Sequence, residues 1–267
     1  MTLYLDRPGG KVAYEIDGFG PLVVLVPGMG DLRSTYRFLA PALVAAGFRV
    51  AATDLRGHGN SDASFASYGD GETAGDIAAL VDELGGPAVI VGNSMGAGAA
   101  VLVAADRPDL VDGLVLLGPF VRNGATSRMQ QMMFRVAMAP VWAAIVWKLY
   151  LPKLYAGQRP DDFEAHRDDL VASLHRPGFA KAFSLTTHTN HDVAEACLAR
   201  VSTPTLVVMG EVDPDFPDPS SEAAWIGQEL DAEVVMVPNA GHYPQSQRPD
   251  ITTPAVLEFL ATLPQHG

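Results

Sequence analysis

The stretch AVIVGNSMGAGAA, residues 88–100, decides how this chain is read. Ala88 to Val91 form a short apolar run suited to a buried strand. Ala97 to Ala100 are small residues suited to a helix lying close against a sheet. Between them Gly92, Asn93, Ser94, Met95 and Gly96 spell G-x-S-x-G. A serine at the crest of a tight strand-to-helix turn is driven into strained backbone angles, and the positions two residues to either side must lack side chains for strand and helix to approach. The pattern alone arises by chance in about one chain in ten of this length, so its setting carries the weight. The helix that follows aims its free N–H groups at the place where negative charge would develop on a substrate.

The same glycines could serve a dinucleotide, but the residues around them oppose that. The turn follows several earlier strands rather than the first, the next strand ends in Gly118 and Pro119 instead of an acid for a ribose hydroxyl, and no tyrosine has a lysine four residues later.

Working outward, further short runs read as strands: Leu22 to Val26, Val50 to Thr53, Gly113 to Leu117, Thr205 to Met209 and Val234 to Val237. Their near-continuous apolar character suits parallel strands covered on both faces. Helical spacing separates several of them, as in Phe38, Leu39, Leu43 and Ala46, in Ile77, Leu80, Val81 and Leu84 before Gly85 and Gly86, and in Ile251 to Leu263. Strands alternating with helices imply an α/β fold with a mostly parallel sheet flanked by helices. Lys11 to Ile16 alternates and can pair with Leu3 to Leu5 as an antiparallel edge. The alternation breaks from about Arg122 to Arg200, where the pattern is helical. The expected organisation is a core of residues 1–121 and 201–267 interrupted by a helical cap at 122–200, which emerges where open α/β sheets bind ligands.

A nucleophilic serine needs a base and an orienting acid. Strand 205–209 runs into Gly210, Glu211, Val212 and Asp213, and strand 234–237 runs into a loop ending at His242. The chain order Ser94, Asp213, His242, together with LVPGMG at residues 25–30 and DLRGHGNSD at 54–62, resembles the α/β-hydrolase fold family over nearly the whole chain. The resemblance implies a serine hydrolase in which Ser94 attacks, His242 takes its proton and Asp213 holds the imidazole. It also implies that the backbone N–H groups of Met29 and Met95 form the oxyanion hole. Pro27 stands where many members of the family carry histidine. The segment GNSMG resembles also the turn of the carbon–carbon bond hydrolases. Against that reading, PGMGDLRSTYR departs from their oxyanion loop, Tyr243 stands where they usually carry tryptophan, and Ala97 replaces a glycine. A small-ligand receptor on the same scaffold is a third reading, since fold alone does not fix function.

Asp215 and Asp218 compete with Asp213, but the G-x-x-D spacing after the strand favours Asp213. His58, Arg56 and Asp62 read as braces of a glycine-rich turn, and His188 and His191 as residues of a helix end in the cap rather than metal ligands. The cap segment from Arg128 to Tyr155 is rich in methionine and aromatic residues. Phe120, Met133, Met138, Trp142 and Tyr243 are the candidates to line an adaptable apolar pocket, so the expected substrate is a small, largely apolar ester.

Composition sets the outer limits. The chain has 267 residues, 48% of them hydrophobic, with 31 acidic against 18 basic residues and a formal charge of −13. It would repel a polyphosphate over most of its surface, which excludes nucleic acid as an expected partner. Cys197 is the single cysteine, so no intrachain disulfide is possible. The opening residues show no secretory signal, no apolar run reaches the ~18 residues needed to span a bilayer, and the expected location is the cytoplasm. No metal or organic cofactor is implied.

Overall fold

The computed structural model describes residues 1–124 and 128–264, so 125–127 of the expected cap and 265–267 at the end of the expected core lie outside it. The strands are β1 (Leu3–Arg7), β2 (Gly10–Asp17), β3 (Leu22–Val26), β4 (Arg49–Thr53), β5 (Ala88–Asn93), β6 (Val111–Leu117), β7 (Thr205–Gly210) and β8 (Glu233–Val237). Between β3 and β6 run α1 (Leu39–Ala45), α2 (Asp70–Leu84) and α3 (Met95–Asp106). Five helices separate β6 from β7: α4 (Arg128–Ala137), α5 (Ala143–Leu154), α6 (Phe163–Leu174), α7 (Phe179–Thr186) and α8 (Asp192–Glu195). The last three are α9 (Pro219–Leu230), α10 (Pro244–Gln247) and α11 (Pro249–Thr262).

One sheet takes all eight strands in the order β1-β2-β4-β3-β5-β6-β7-β8. β1 pairs antiparallel with β2 and β2 with β4, and every other pairing is parallel. Leu3 faces Tyr14 and Leu5 faces Val12, the expected antiparallel edge. The apolar strands divide by their period of two. Val24, Ile90, Leu114 and Val207 join one buried layer; Val23, Leu25, Val91, Val115 and Val208 join the other. Helices on both faces therefore require strands without a polar side, which is why the runs are apolar throughout. Gly85 ends α2 in the left-handed conformation, with φ of 76°.

The segment between β6 and β7 carries its own apolar cluster. Met138, Trp147, Leu151, Tyr155, Phe163, Leu170, Leu174 and Phe183 pack together, and Tyr243, from the loop after β8, joins them. The chain divides around Pro140, between α4 and α5. Met129, Met132 and Met133 on α4 are exposed, so the methionine-rich helix lies at the surface instead of filling that cluster. No helix among the described residues is long and apolar enough to cross a membrane.

The joint between β5 and α3 is a close one. A Cβ on Gly92 would come within 2.4 Å of the Gly96 carbonyl oxygen, and one on Gly96 within 2.6 Å of the Val26 carbonyl oxygen. Gly71, at the start of α2, has no atom within 4 Å of a Cβ position. Gly92→Ala is expected to destabilise the fold by about 3 kcal/mol, because backbone must move. Gly71→Ala is expected to be neutral or stabilising by about 0.5 kcal/mol. Chemical denaturation of the two variants checks the contrast.

Candidate active site

Ser94 is the N-cap of α3, with φ of 56° and ψ of −122°. The turn is fixed from several sides. The Ser94 N–H donates to the Leu117 carbonyl at 3.0 Å, and the Ser94 carbonyl accepts from Ala97 at 3.0 Å and Phe120 at 3.3 Å. Asn93 adds a tie that its sequence setting does not advertise: its side-chain amide donates to the Leu117 carbonyl at 2.8 Å and the His242 carbonyl at 3.1 Å. The ends of β5 and β6 and the histidine loop are thereby fastened together.

His242 Nδ1 and Asp213 Oδ2 are 2.8 Å apart, and both side chains are buried. Asp215 Oδ2 lies farther off, 3.8 Å from the same nitrogen. Asp215 accepts the Tyr150 hydroxyl at 2.7 Å, and its own N–H donates to Asp213 Oδ1 at 3.0 Å. Asp218 is remote from this group and caps α9 by accepting from the Ser221 N–H. Burial disfavours the His242 imidazolium, but the Asp213 carboxylate, helped by Asp215, outweighs it and pushes the pKa up to about 9. Burial likewise raises the Asp215 carboxyl. Asp213, Asp215 and His242 form a cluster with metal-ligand spacing, within 4.8 Å of one another. Its atoms are already engaged with each other and with Tyr150, as befits an acid–base pair.

Gln247, in α10, holds the histidine loop. Its side-chain oxygen accepts from the Gly241 N–H at 2.9 Å and the Tyr243 N–H at 3.2 Å, while its amide donates to the Ala156 and Gln158 carbonyls at 2.7 Å each. The His242 N–H donates to the Leu154 carbonyl at 2.8 Å. The histidine thus takes its backbone position from the helical segment as well as from β8.

The loop after β3 lies against the serine, where a Cβ on Gly28 would stand 2.7 Å from the Ser94 Cβ. The Gly30 N–H donates to His58 Nε2 at 3.0 Å, and His58 Nδ1 meets the Arg56 carbonyl at 2.8 Å, so the expected brace supports this loop. Met95 opens α3, where a backbone N–H has no partner within the helix. Met29, Ser94, Met95 and His242 border one cavity of about 510 Å³. Phe120 and Tyr243 border it too, with Trp147, Tyr150 and Leu154 of α5.

The other three pocket candidates do not reach the cavity wall. Met138 turns into the apolar cluster of the helical segment, and Met133 faces outward from α4. Trp142 is held half-exposed at the start of α5 by a 2.7 Å bond from its indole N–H to the Val136 carbonyl. Phe134 of α4 and Trp147 of α5 occupy the wall instead.

The alpha/beta hydrolase family is matched over residues 23–255. The chain belongs to that family. An uncharacterized protein of Mycobacterium tuberculosis is 36% identical over 145 residues, 54% of this chain but only 41% of that protein. A 2-(acetamidomethylene)succinate hydrolase of Mesorhizobium japonicum is 28% identical over 94% of this chain and 92% of its own length. Among solved structures, a thermophilic esterase from Thermogutta terrifontis superposes with a TM-score of 0.81 at 26% identity, covering 98% of both chains. The hydrolase fold thus extends over essentially the whole of this molecule.

The buried pair makes a prediction independent of any substrate. The His242 imidazole should remain protonated until the pH approaches 9 and lose its proton through that range. Asp213→Asn should bring the titration down, because the carboxylate that favours the charged ring is gone. Nuclear magnetic resonance of the histidine ring carbons across pH 5–10 reads both.

Proposed function

We propose that this alpha/beta hydrolase is a serine hydrolase that cleaves carboxylic esters through an acyl-enzyme on Ser94. The observation that carries the reading is the pairing, at one cavity, of a serine at positive φ with a buried imidazole that is itself bonded to a carboxylate at 2.8 Å. With Nδ1 donating to Asp213, the other ring nitrogen of His242 takes the Ser94 proton as Oγ attacks the carbonyl. The Met29 and Met95 N–H groups receive the negative charge on the carbonyl oxygen. Donors aimed at a developing oxyanion contribute about 3 kcal/mol each. His242 returns the proton to the departing alcohol, and water attacks the acyl-enzyme under the same base. Residues 122–200 act as a cap, supplying Trp147, Tyr150 and Leu154 to the substrate's apolar flank.

Three outcomes are expected in a purified, folded enzyme assayed on a chromogenic ester series. Ser94→Ala should lower kcat by ~10⁴- to 10⁶-fold. Asp213→Asn should lower it by up to ~10⁴-fold, and Asp215→Asn, whose oxygen stands at 3.8 Å, by far less. The base must be neutral to accept a proton, so kcat/KM should rise with pH by about tenfold per unit below the His242 pKa and level off above about 9. Unchanged turnover in Ser94→Ala would refute the mechanism. Wild-type enzyme inert on esters but active on a ring-fission dienone would favour carbon–carbon cleavage, and inertness on both would favour a receptor.

A further inference from the structure

A second imidazole–carboxylate pair lies beside the same cavity, with His191 on its wall. His191, just before α8, places Nδ1 2.7 Å from Oδ2 of Asp70, the first residue of α2, and both residues are buried. The Thr189 hydroxyl donates to the other Asp70 oxygen at 2.9 Å, so the carboxylate is fixed from two directions. Phe120 carries both rings, with His191 stacked on it at 5.5 Å and His242 edge-on at 5.7 Å. With Nδ1 committed to Asp70, the ring's remaining nitrogen, Nε2, has no hydrogen-bond partner among the described residues. A buried polar pair stabilises a fold no better than an apolar one of similar volume, and a ring nitrogen that lines a cavity without a protein partner is placed to meet a ligand atom.

The charges nearby indicate which atom. Arg135 and His188 border the cavity beside His191. Burial and then the Arg135 charge press the His188 pKa downward, which places the guanidinium within electrostatic reach. Of the acids on the wall, Asp192 accepts from the Asn123 amide at 2.5 Å and Asp215 is held by Tyr150.

We propose that His191, oriented by Asp70, binds a carboxylate on the substrate, so that the ester presented to Ser94 carries an anionic end. The ring then stands between two carboxylates, Nδ1 on Asp70 and Nε2 on the ligand, and Arg135 adds its charge at the same end. This adds a charged end to the small, largely apolar ester that the sequence suggests, and it rests on the ester-hydrolase reading of the site.

Monomethyl adipate and dimethyl adipate match in length and differ by one charge. The wild-type enzyme should show the higher kcat/KM for the monoester. In His191→Gln the ratio of monoester to diester should fall by ~10-fold or more, the effect of losing a hydrogen bond to a charged group. Asp70→Asn should move the ratio the same way, and Arg135→Gln, an exposed position that does not endanger folding, by about threefold. A wild-type preference for the diester, or a ratio unmoved in Arg135→Gln and His191→Gln, would overturn the proposal. Calorimetric binding of adipate needs no turnover and separates the two readings. Adipate binding that weakens in His191→Gln supports the carboxylate site even if Ser94 cleaves neither ester; no adipate binding to wild-type enzyme refutes it even if Ser94 is active.

Discussion

The joint between β5 and α3 is the constraint from which the rest follows. A strand must reverse into a helix within two residues, and the two backbones come so close that neither Gly92 nor Gly96 has room for a methyl group. The residue between them is left at φ of 56°, a conformation that costs about 1–3 kcal/mol for anything but glycine. Hydrogen bonds from the Ala97 and Phe120 N–H groups to its carbonyl, and from its own N–H to the Leu117 carbonyl, hold it there. Because β3, β5, β6, β7 and β8 run parallel, their C-terminal ends all open on one edge of the sheet. The Gly28–Met29 loop, Ser94, Asp213 and His242 then meet without any of the strands bending to bring them there.

The helical segment is keyed to that edge by polar contacts as much as by apolar packing. His166 on α6 meets Asp31 at 2.8 Å, Arg37 forms a two-point pair with Asp162 at 2.6 Å, and the Trp147 indole donates to the Gly30 carbonyl at 2.8 Å. His191 and Asp70 add a fourth link at 2.7 Å. Each of these fastens a loop that borders the site, so the position of the helices and the geometry of the reacting groups are not separable.

Local patterns made much of this readable in the chain. The strands appear as apolar runs because both faces are covered, and the β5–α3 turn appears because sterics permit so few residues there. Asp213 and His242 stand out because each follows a strand at short spacing. What stayed hidden depends on partners distant in sequence. Nothing around Asp70 announces His191, 121 residues away, and nothing around Gln247 announces the loop it clamps. The pocket candidates show the same limit. Met133 and Trp142 carry the right chemistry, but which way an apolar side chain points is set by where the chain breaks near Pro140 and by what the helix then packs against. Phe134, Trp147 and Tyr150 took the place assigned to them.

The order in which the parts come along the chain has a consequence for biosynthesis. Ser94 follows β5, whereas Asp213 and His242 follow β7 and β8, beyond the whole helical segment. A growing polypeptide exposes residues 1–117, with β3, β4, β5 and β6 able to pair, well before β7 leaves the ribosome. On the proposed mechanism the nucleophile is present without a base during that interval. On that mechanism a nascent or truncated chain that stops short of residue 242 would carry an unactivated serine, and chemical competence would arrive only when β8 zips onto the edge of the sheet.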